Sequence, residues 1–290
     1  MKKTTLSMAL KKAETELTAA GVSEAGRNAE LLLSHLLGLR RHELFTSSAR
    51  LLTDDEEKGF RELLERRKRR EPVQYITGSA EFRGLEMELS KATLIPRPET
   101  ELVVDEALRV LSGAGNAGDI TIIDLCTGSG CIAISMAVEL STSRIWATDI
   151  SIEALVVAER NARRHGVADR INFLRGDLYD ALNEVVLERK ATIILSNPPY
   201  IPDDEIERLE PEVAAWEPRA SLAGGHDGLV LIRRIISGAG NYLANNGHLV
   251  MEFGAGQSQM VREFTEESGF ECEIKKDLSN IERILIAKKS

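Results

Sequence analysis

Cysteine is scarce: Cys126, Cys131 and Cys272 are the only three in 290 residues. Their number and spacing support neither a disulfide framework nor a zinc site, so no metal centre is expected. A reduced, cytoplasmic protein is the simplest expectation. Basic residues are in deficit, with 37 Lys and Arg against 46 Asp and Glu and a net charge of −9. That balance argues against stable nucleic-acid binding, which needs a basic footprint. No apolar stretch reaches the length of a membrane span. Met1-Lys2-Lys3-Thr4-Thr5 leads into no apolar segment with a cleavage site, so no secretory signal is expected. The five histidines form no constellation, and His226 in its Gly-rich segment reads as a loop residue. What remains is 43% hydrophobic and 29% charged, enough for a real core in one large domain or two smaller ones.

Residues 1–72 read as a helical domain without a catalytic cluster. Leu6, Leu10, Ala13 and Leu17 recur at three- and four-residue spacing. Ser23 is placed to cap a second helix carrying Leu31, Leu32, Leu33, Leu36 and Leu37. Thr53 with Glu56 forms a capping-box pattern before Phe60, Leu63 and Leu64. That helix ends in Arg66-Arg67-Lys68-Arg69-Arg70. Cations suit a helix C-terminus, so a solvated helix end is expected, with a contact surface for an acidic partner or RNA as the alternative. Pro72 stops the helix, and residues 73–95 read as a β-hairpin linker punctuated by Gly78 and Gly84.

Residues 96–290 read as a separate α/β domain. Pro98 suits the first position of a helix carrying Leu102, Val103, Ala107, Leu108 and Val110, and Gly113–Gly118 reads as a loop. Strand patterns at 121–125, 144–148, 171–174, 192–195, 248–253 and 283–287 alternate mostly with helical ones. The period change predicts a doubly wound sheet with right-handed crossovers. The 270–275 segment adds a further strand, with 283–287 antiparallel at or near an edge.

Two loops at strand ends carry the chemistry. Asp124-Leu125-Cys126-Thr127-Gly128-Ser129-Gly130 joins the first of these strands to a helix. Gly128 and Gly130 permit a tight turn and close backbone approach to a ligand at a helix N-terminus. The glycines with Ala133 also fit a dinucleotide pattern. Asp124, however, sits badly beside a pyrophosphate and suits the ammonium and sulfonium of S-adenosylmethionine. Asp149, at the next strand end, is placed to accept from ribose hydroxyls. Asp177 is placed to accept from the adenine amino group, with Leu178 beside the ring. The second loop is Ser196-Asn197-Pro198-Pro199-Tyr200, where two prolines end an apolar strand. Asn197 and the Pro-Pro backbone offer acceptors, and Tyr200 offers an aromatic face. Such a set holds a planar NH2-bearing group, a carboxamide or an amino base.

Together with Ile95-Pro96-Arg97-Pro98-Glu99-Thr100-Glu101, these motifs closely resemble those of the release factor glutamine methyltransferases. Glu71-Pro72-Val73-Gln74-Tyr75-Ile76-Thr77-Gly78 and Gly224-Gly225-His226-Asp227-Gly228-Leu229 resemble further segments of that family, so the likeness spans the chain. The resemblance implies a class I, Rossmann-like, seven-stranded methyltransferase domain with a small N-terminal helical substrate-recognition domain. It implies S-adenosyl-L-methionine as cofactor and S-adenosyl-L-homocysteine as product. Class 1 peptide chain release factors are the implied partners, methylated on the glutamine of a Gly-Gly-Gln motif. Asn197, Pro198 and Tyr200 take the catalytic roles, and Asn197, Pro198, Pro199 and Tyr200 bind the substrate. Asp124, Cys126, Thr127, Gly128, Ser129, Gly130, Asp149, Asp177, Leu178 and Asn197 take the cofactor. Cys126 stands where the family usually has glycine, and its side chain would crowd the methionine end if φ there is positive. A ribosomal-protein glutamine, an adenine N6 amino group, and a nucleotide-binding module without catalysis are the alternatives.

Overall fold

The chain alternates helix and strand only after a wholly helical start. The structure, a computed structural model, describes residues 4–113, 120–183, 185 and 189–289. In chain order the helices and strands are α1 (Leu6–Ala19), α2 (Ala25–Leu37), α3 (Arg41–Thr46), α4 (Asp54–Lys68) and α5 (Val73–Thr77), then β1 (Ser79–Phe82) and β2 (Leu85–Glu88). Next come α6 (Glu101–Gly113), β3 (Thr121–Leu125), α7 (Cys131–Glu139), β4 (Arg144–Asp149), α8 (Ile152–Arg164), β5 (Ile171–Arg175) and β6 (Ala191–Ser196). The chain ends with α9 (Pro211–Ala214), α10 (Val230–Tyr242), β7 (Leu243–Glu252), α11 (Ser258–Glu267), β8 (Phe270–Lys276) and β9 (Glu282–Lys289).

Two units result. One comprises Met1–Ser79 and Glu210–Trp216, the other Ala80–Leu209 and Glu217–Ser290. In the first, Leu6, Ala13, Leu17, Leu32, Leu33, Phe60 and Leu64 form one buried cluster, as their helical spacing requires. The Thr53–Glu56 capping box forms in both directions. Ser23 does not cap α2. Glu24, with φ 49, takes the N-cap position, and Asn28 Nδ2 donates to the carbonyls of Ser23 and Glu24 instead.

Within the basic run Arg69 is exposed, as a solvated helix end requires, but the other four side chains are paired. Arg67 is buried, donating to Asn28 Oδ1 at 2.8 Å and to Glu212 at 2.7 Å. Arg70 donates twice to Glu212, at 2.6 Å, and Arg66 grips Glu71 with two hydrogen bonds. Lys68 pairs with Glu65 and Glu16. The segment that brings Glu212, with α9, is therefore held by charges the helix end supplies.

The hairpin is shorter than 73–95. Residues Val73–Thr77 close as a helical turn after Pro72, and Gly78, at φ 79, ends it. The loop expected at Gly113–Gly118 lies outside the described residues beyond Gly113, which is the last residue of α6.

In the second unit the sheet order is β5-β4-β3-β6-β7-β9-β8. All neighbours pair in parallel except β9, which is antiparallel to both β7 and β8. Successive strand residues bury on opposite faces: Ile122, Ile193 and Val250 join one core cluster, Ile123, Ile194 and Met251 the other. The order reverses direction beside β3, so the carboxyl ends of β3 and β6 open a crevice between them. Ser196 Oγ donates to the Leu125 carbonyl at 2.8 Å and fastens those two ends together.

Candidate active site

A cavity of about 440 Å³ lies at the carboxyl ends of β3, β4 and β6. Its size suits a small-molecule ligand. Its wall brings together Cys126, Thr127, Gly128, Ser129, Asp149, Asp177, Leu178, Asn197 and Pro199 from the two loops and strand ends. Among the described residues no lysine or arginine lines it, whereas Asp149, Glu153 and Asp177 do. A pyrophosphate would find no cation there, while a cationic nucleoside would find three carboxylates. Among the described residues, no group of His, Cys, Asp or Glu could hold a metal ion.

The loop after β3 is shaped from within. Thr127 N–H donates to the Thr148 carbonyl at 3.0 Å, and Gly128 turns at φ 57. Gly130, at φ 82, starts α7; a Cβ there would lie 3.0 Å from Ile134 Cδ1 and 3.1 Å from Ala158 Cβ. Asn161, fully buried, donates to Ser129 O at 3.0 Å and also exchanges hydrogen bonds with the backbone of Glu88. One asparagine of α8 thus ties the loop to β2.

Asp149 accepts from Gly128 N–H at 2.9 Å and from Ser151 N–H at 2.9 Å. Each oxygen keeps a further lone-pair direction for a ligand hydroxyl. Burial raises its pKa, and the N–H groups of Ser151, Gly128 and Ile150 oppose the rise. Asp177 also reaches the wall, but its Oδ2 pairs with Arg234 at 2.9 Å. Leu178 holds φ 52 and Cys126 φ 59. Left-handed backbone in non-glycine residues costs about 1 kcal/mol or more and concentrates at functional sites. Cys126 is thus the glycine position anticipated above, and burial pushes its thiol well above the ordinary value.

Four of the proposed site residues do not line the cavity. Asp124 is fully buried beneath the loop, where Thr127 Oγ1 donates to its Oδ2 at 2.6 Å. Burial pushes its pKa up to about 7, opposed by Thr127 and the Ala133 N–H. It organises the loop rather than the wall. Gly130 serves helix packing, and Pro198 is buried. Tyr200 does not turn an open face to a ligand: its hydroxyl donates to Glu252 Oε1 at 2.8 Å and its ring packs against the core.

The second loop is braced by groups that local patterns did not reveal. Asn197 Nδ2 donates to Thr100 Oγ1 at 2.8 Å, and Thr100 Oγ1 donates to Glu252 Oε2 at 2.7 Å. Glu252 is buried, and burial raises its pKa, opposed by hydrogen bonds from Thr100 and Tyr200. Glu217 accepts from Ile95 N–H and from Arg97, fixing the Ile95–Pro98 stretch. Burial raises its pKa too, against the Arg97 charge. Gly224 and Gly228 let the Gly-rich segment lie on Tyr200: a Cβ at Gly228 would sit 2.3 Å from the Tyr200 carbonyl. His226 is exposed, 3.7 Å from Asp227, and stands outside the site.

Comparison with known proteins gives two family matches, the PrmC N-terminal domain over residues 8–78 and the methyltransferase small domain over residues 103–210. A release factor glutamine methyltransferase of Geobacter sulfurreducens is 39% identical, covering 93% of this chain and 91% of that protein. One of Nitratidesulfovibrio vulgaris is 38% identical, over 99% of this chain and 96% of that protein. A methyltransferase crystal structure from Pyrococcus furiosus shares the fold at a TM-score of 0.51 and 17% identity, over 72% of this chain and 91% of that one.

Proposed function

The chain belongs to the release factor glutamine methyltransferase family, and we propose that it methylates the side-chain amide nitrogen of a release-factor glutamine. The observation that carries this reading is the carboxamide of Asn197 on the wall of a cavity lined by three carboxylates and, among the described residues, by no lysine or arginine. Asp149 would hold the ribose hydroxyls of S-adenosylmethionine, Leu178 would pack beside its adenine, and Asp177 would accept from the adenine amino group. Cys126, Thr127, Gly128 and Ser129 would wall its methionine end. The bound cofactor supplies a methyl group made electrophilic by a sulfonium, which becomes a neutral thioether as the nitrogen–methyl bond forms.

The protein's part is orientation. An amide nitrogen is a poor nucleophile, because its lone pair is delocalised into the carbonyl. Asn197 Oδ1 would accept one of the amide hydrogens, aim the nitrogen and raise its electron density, while Pro198, buried behind the wall, would stiffen the loop that carries it. Pro199 would complete the amide pocket. No dedicated base is required before transfer, since the proton becomes acidic once the nitrogen is alkylated. The helical unit would dock the protein substrate, and the reaction would take place in the cytoplasm with class 1 release factors as partners. Neither a ribosomal-protein glutamine nor an adenine base is favoured, since both relatives described above are named for release factors.

The test is radiolabelled methyl transfer to three acceptors in parallel: release factor, ribosomal protein and adenine-containing DNA. Label only on the release factor, at its Gly-Gly-Gln glutamine, is the expected result. Label on DNA, or on the ribosomal protein alone, would overturn the reading.

A further inference from the structure

We propose that Glu252 fixes which way the Asn197 carboxamide faces, through the hydroxyl of Thr100, and so acts as a positioning residue for the acceptor amide. The proposal rests on the reading of Asn197 as that amide's acceptor.

Donor polarity carries the argument. Glu252, the last residue of β7, accepts from Thr100 Oγ1 at 2.7 Å and from Tyr200 OH at 2.8 Å. An ionised carboxylate can only accept. A threonine hydroxyl has one proton, and here it is spent on Glu252. Toward Asn197 the Thr100 oxygen can then only accept, and it takes Nδ2–H at 2.8 Å. The amide side of Asn197 is thereby fixed against Thr100, and Oδ1 is left for a ligand. The reversed carboxamide would set two acceptor oxygens against each other with no proton between them. It would also present an NH2 donor to a substrate NH2, which is the wrong partner. The three residues are far apart in sequence, yet Thr100 and Glu252 are buried and Asn197 partly so.

The charge of Glu252 is the control point. Facing it are the Thr100 and Tyr200 hydroxyls, Arg283 from β9, which favours the ionised form, and Glu99, which opposes it. If Glu252 takes up a proton, its own O–H can donate to Thr100. The Thr100 proton is then released toward Asn197, and the carboxamide can reverse. Activity should therefore fall on the acid side with the titration of Glu252, above the ordinary carboxylate range.

The experiment compares Glu252→Gln, Thr100→Val, Thr100→Ser and Asn197→Ala. It measures kcat and KM for release factor from pH 5 to 9 and S-adenosylhomocysteine affinity by calorimetry. Side-chain amide NMR of Asn197 follows the relay without turnover. Thr100→Val and Glu252→Gln should each lower kcat about tenfold, the scale of one lost hydrogen bond. S-adenosylhomocysteine affinity should stay within about threefold in both, a change small beside the loss in kcat. Thr100→Ser keeps the hydroxyl and should retain most activity. The acid limb and the pH shift of the Asn197 amide signal should both vanish in Glu252→Gln. If that variant fails to fold, the Val and Ser pair and the wild-type NMR titration decide. Normal kcat in Thr100→Val, or an Asn197 signal indifferent to Glu252 protonation, overturns the relay. Should Asn197→Ala still be inactive then, the acceptor reading survives; an active Asn197→Ala would remove that reading itself.

Discussion

Glu212 in the helical unit and Glu252 at the end of β7 are both withdrawn from water, yet their surroundings drive ionisation in opposite directions. Burial acts on Glu212 too, but hydrogen bonds from Arg70 and Arg67 outweigh it and hold the carboxyl below the usual range. Among the described residues Glu252 has only hydroxyl donors as direct partners, so burial wins and its pKa rises. Glu217 stands between them: with Arg97 as its one cationic partner, its pKa is still raised. Two guanidinium groups make a carboxylate a structural clamp. A carboxylate left with hydroxyls stays close to titrating, and this one lies beside the residue that would face the substrate. Perturbed groups of that kind mark functional sites more often than clamps do.

Removing the compensation from the clamp should give the largest effect. Arg67→Met takes a donor from Glu212, Asn28 and the Glu71 carbonyl at once. Breaking a buried pair on one side costs about 3–5 kcal/mol. Chemical denaturation should register that loss, and amide exchange should place it in α2, α4 and α9. A loss under about 1 kcal/mol, the value of an exposed pair, would show that the clamp is only a surface ion pair.

The pH dependence of stability should separate the two carboxylates by sign. Glu212 ionises more readily when folded. Its contribution is complete above its ordinary value of 4.5 and is lost as pH falls through the lower folded value. Glu252 binds its proton more tightly when folded, so stability falls as pH rises from 4.5 through the raised value. Denaturation midpoints of Glu212→Gln and Glu252→Gln against wild type, from pH 4 to 8, should change slope in opposite senses. Equal slopes in both variants would refute the contrast.

The smallest expected effect belongs to Cys126. Glycine tolerates φ 59 without a Cβ penalty, at some cost in chain entropy. Cys126→Gly should therefore shift stability by no more than about 1 kcal/mol, in the stabilising direction, by thermal unfolding. It should also bind S-adenosylhomocysteine at least as tightly as wild type. A clear loss of either would mean that the thiol, not the backbone, matters there.

The contrast also explains what could be read from the sequence. Strands β3 to β6, the glycine loop, Asp149 and the Asn197 loop were legible because each is a local pattern: a period, a turn chemistry, a strand end. Glu252 and Thr100 were not, because their bond joins residues 152 positions apart. A cue existed in Leu249-Val250-Met251-Glu252-Phe253, where one acid interrupts an apolar strand as Asp124 does in β3. Glu217 and Glu212 had no such cue, and the arginines they hold read locally as a helix start and a helix end. Tyr200 misled for the same reason. Its aromatic face was visible in the motif, while its partner on β7 was not. Asn161, which anchors the loop after β3, looked like any other polar residue of an amphipathic helix.

The most direct test of the account is single-turnover methylation of release factor by Asn197→Ala with saturating S-adenosylmethionine. Loss of a preorganised polar contact at a reacting centre lowers the rate by about 10²-fold or more, and that is the expected result, with S-adenosylhomocysteine affinity largely kept. A folded variant that methylates at a near-normal rate would contradict the account and leave Asn197 as the cap of a proline turn.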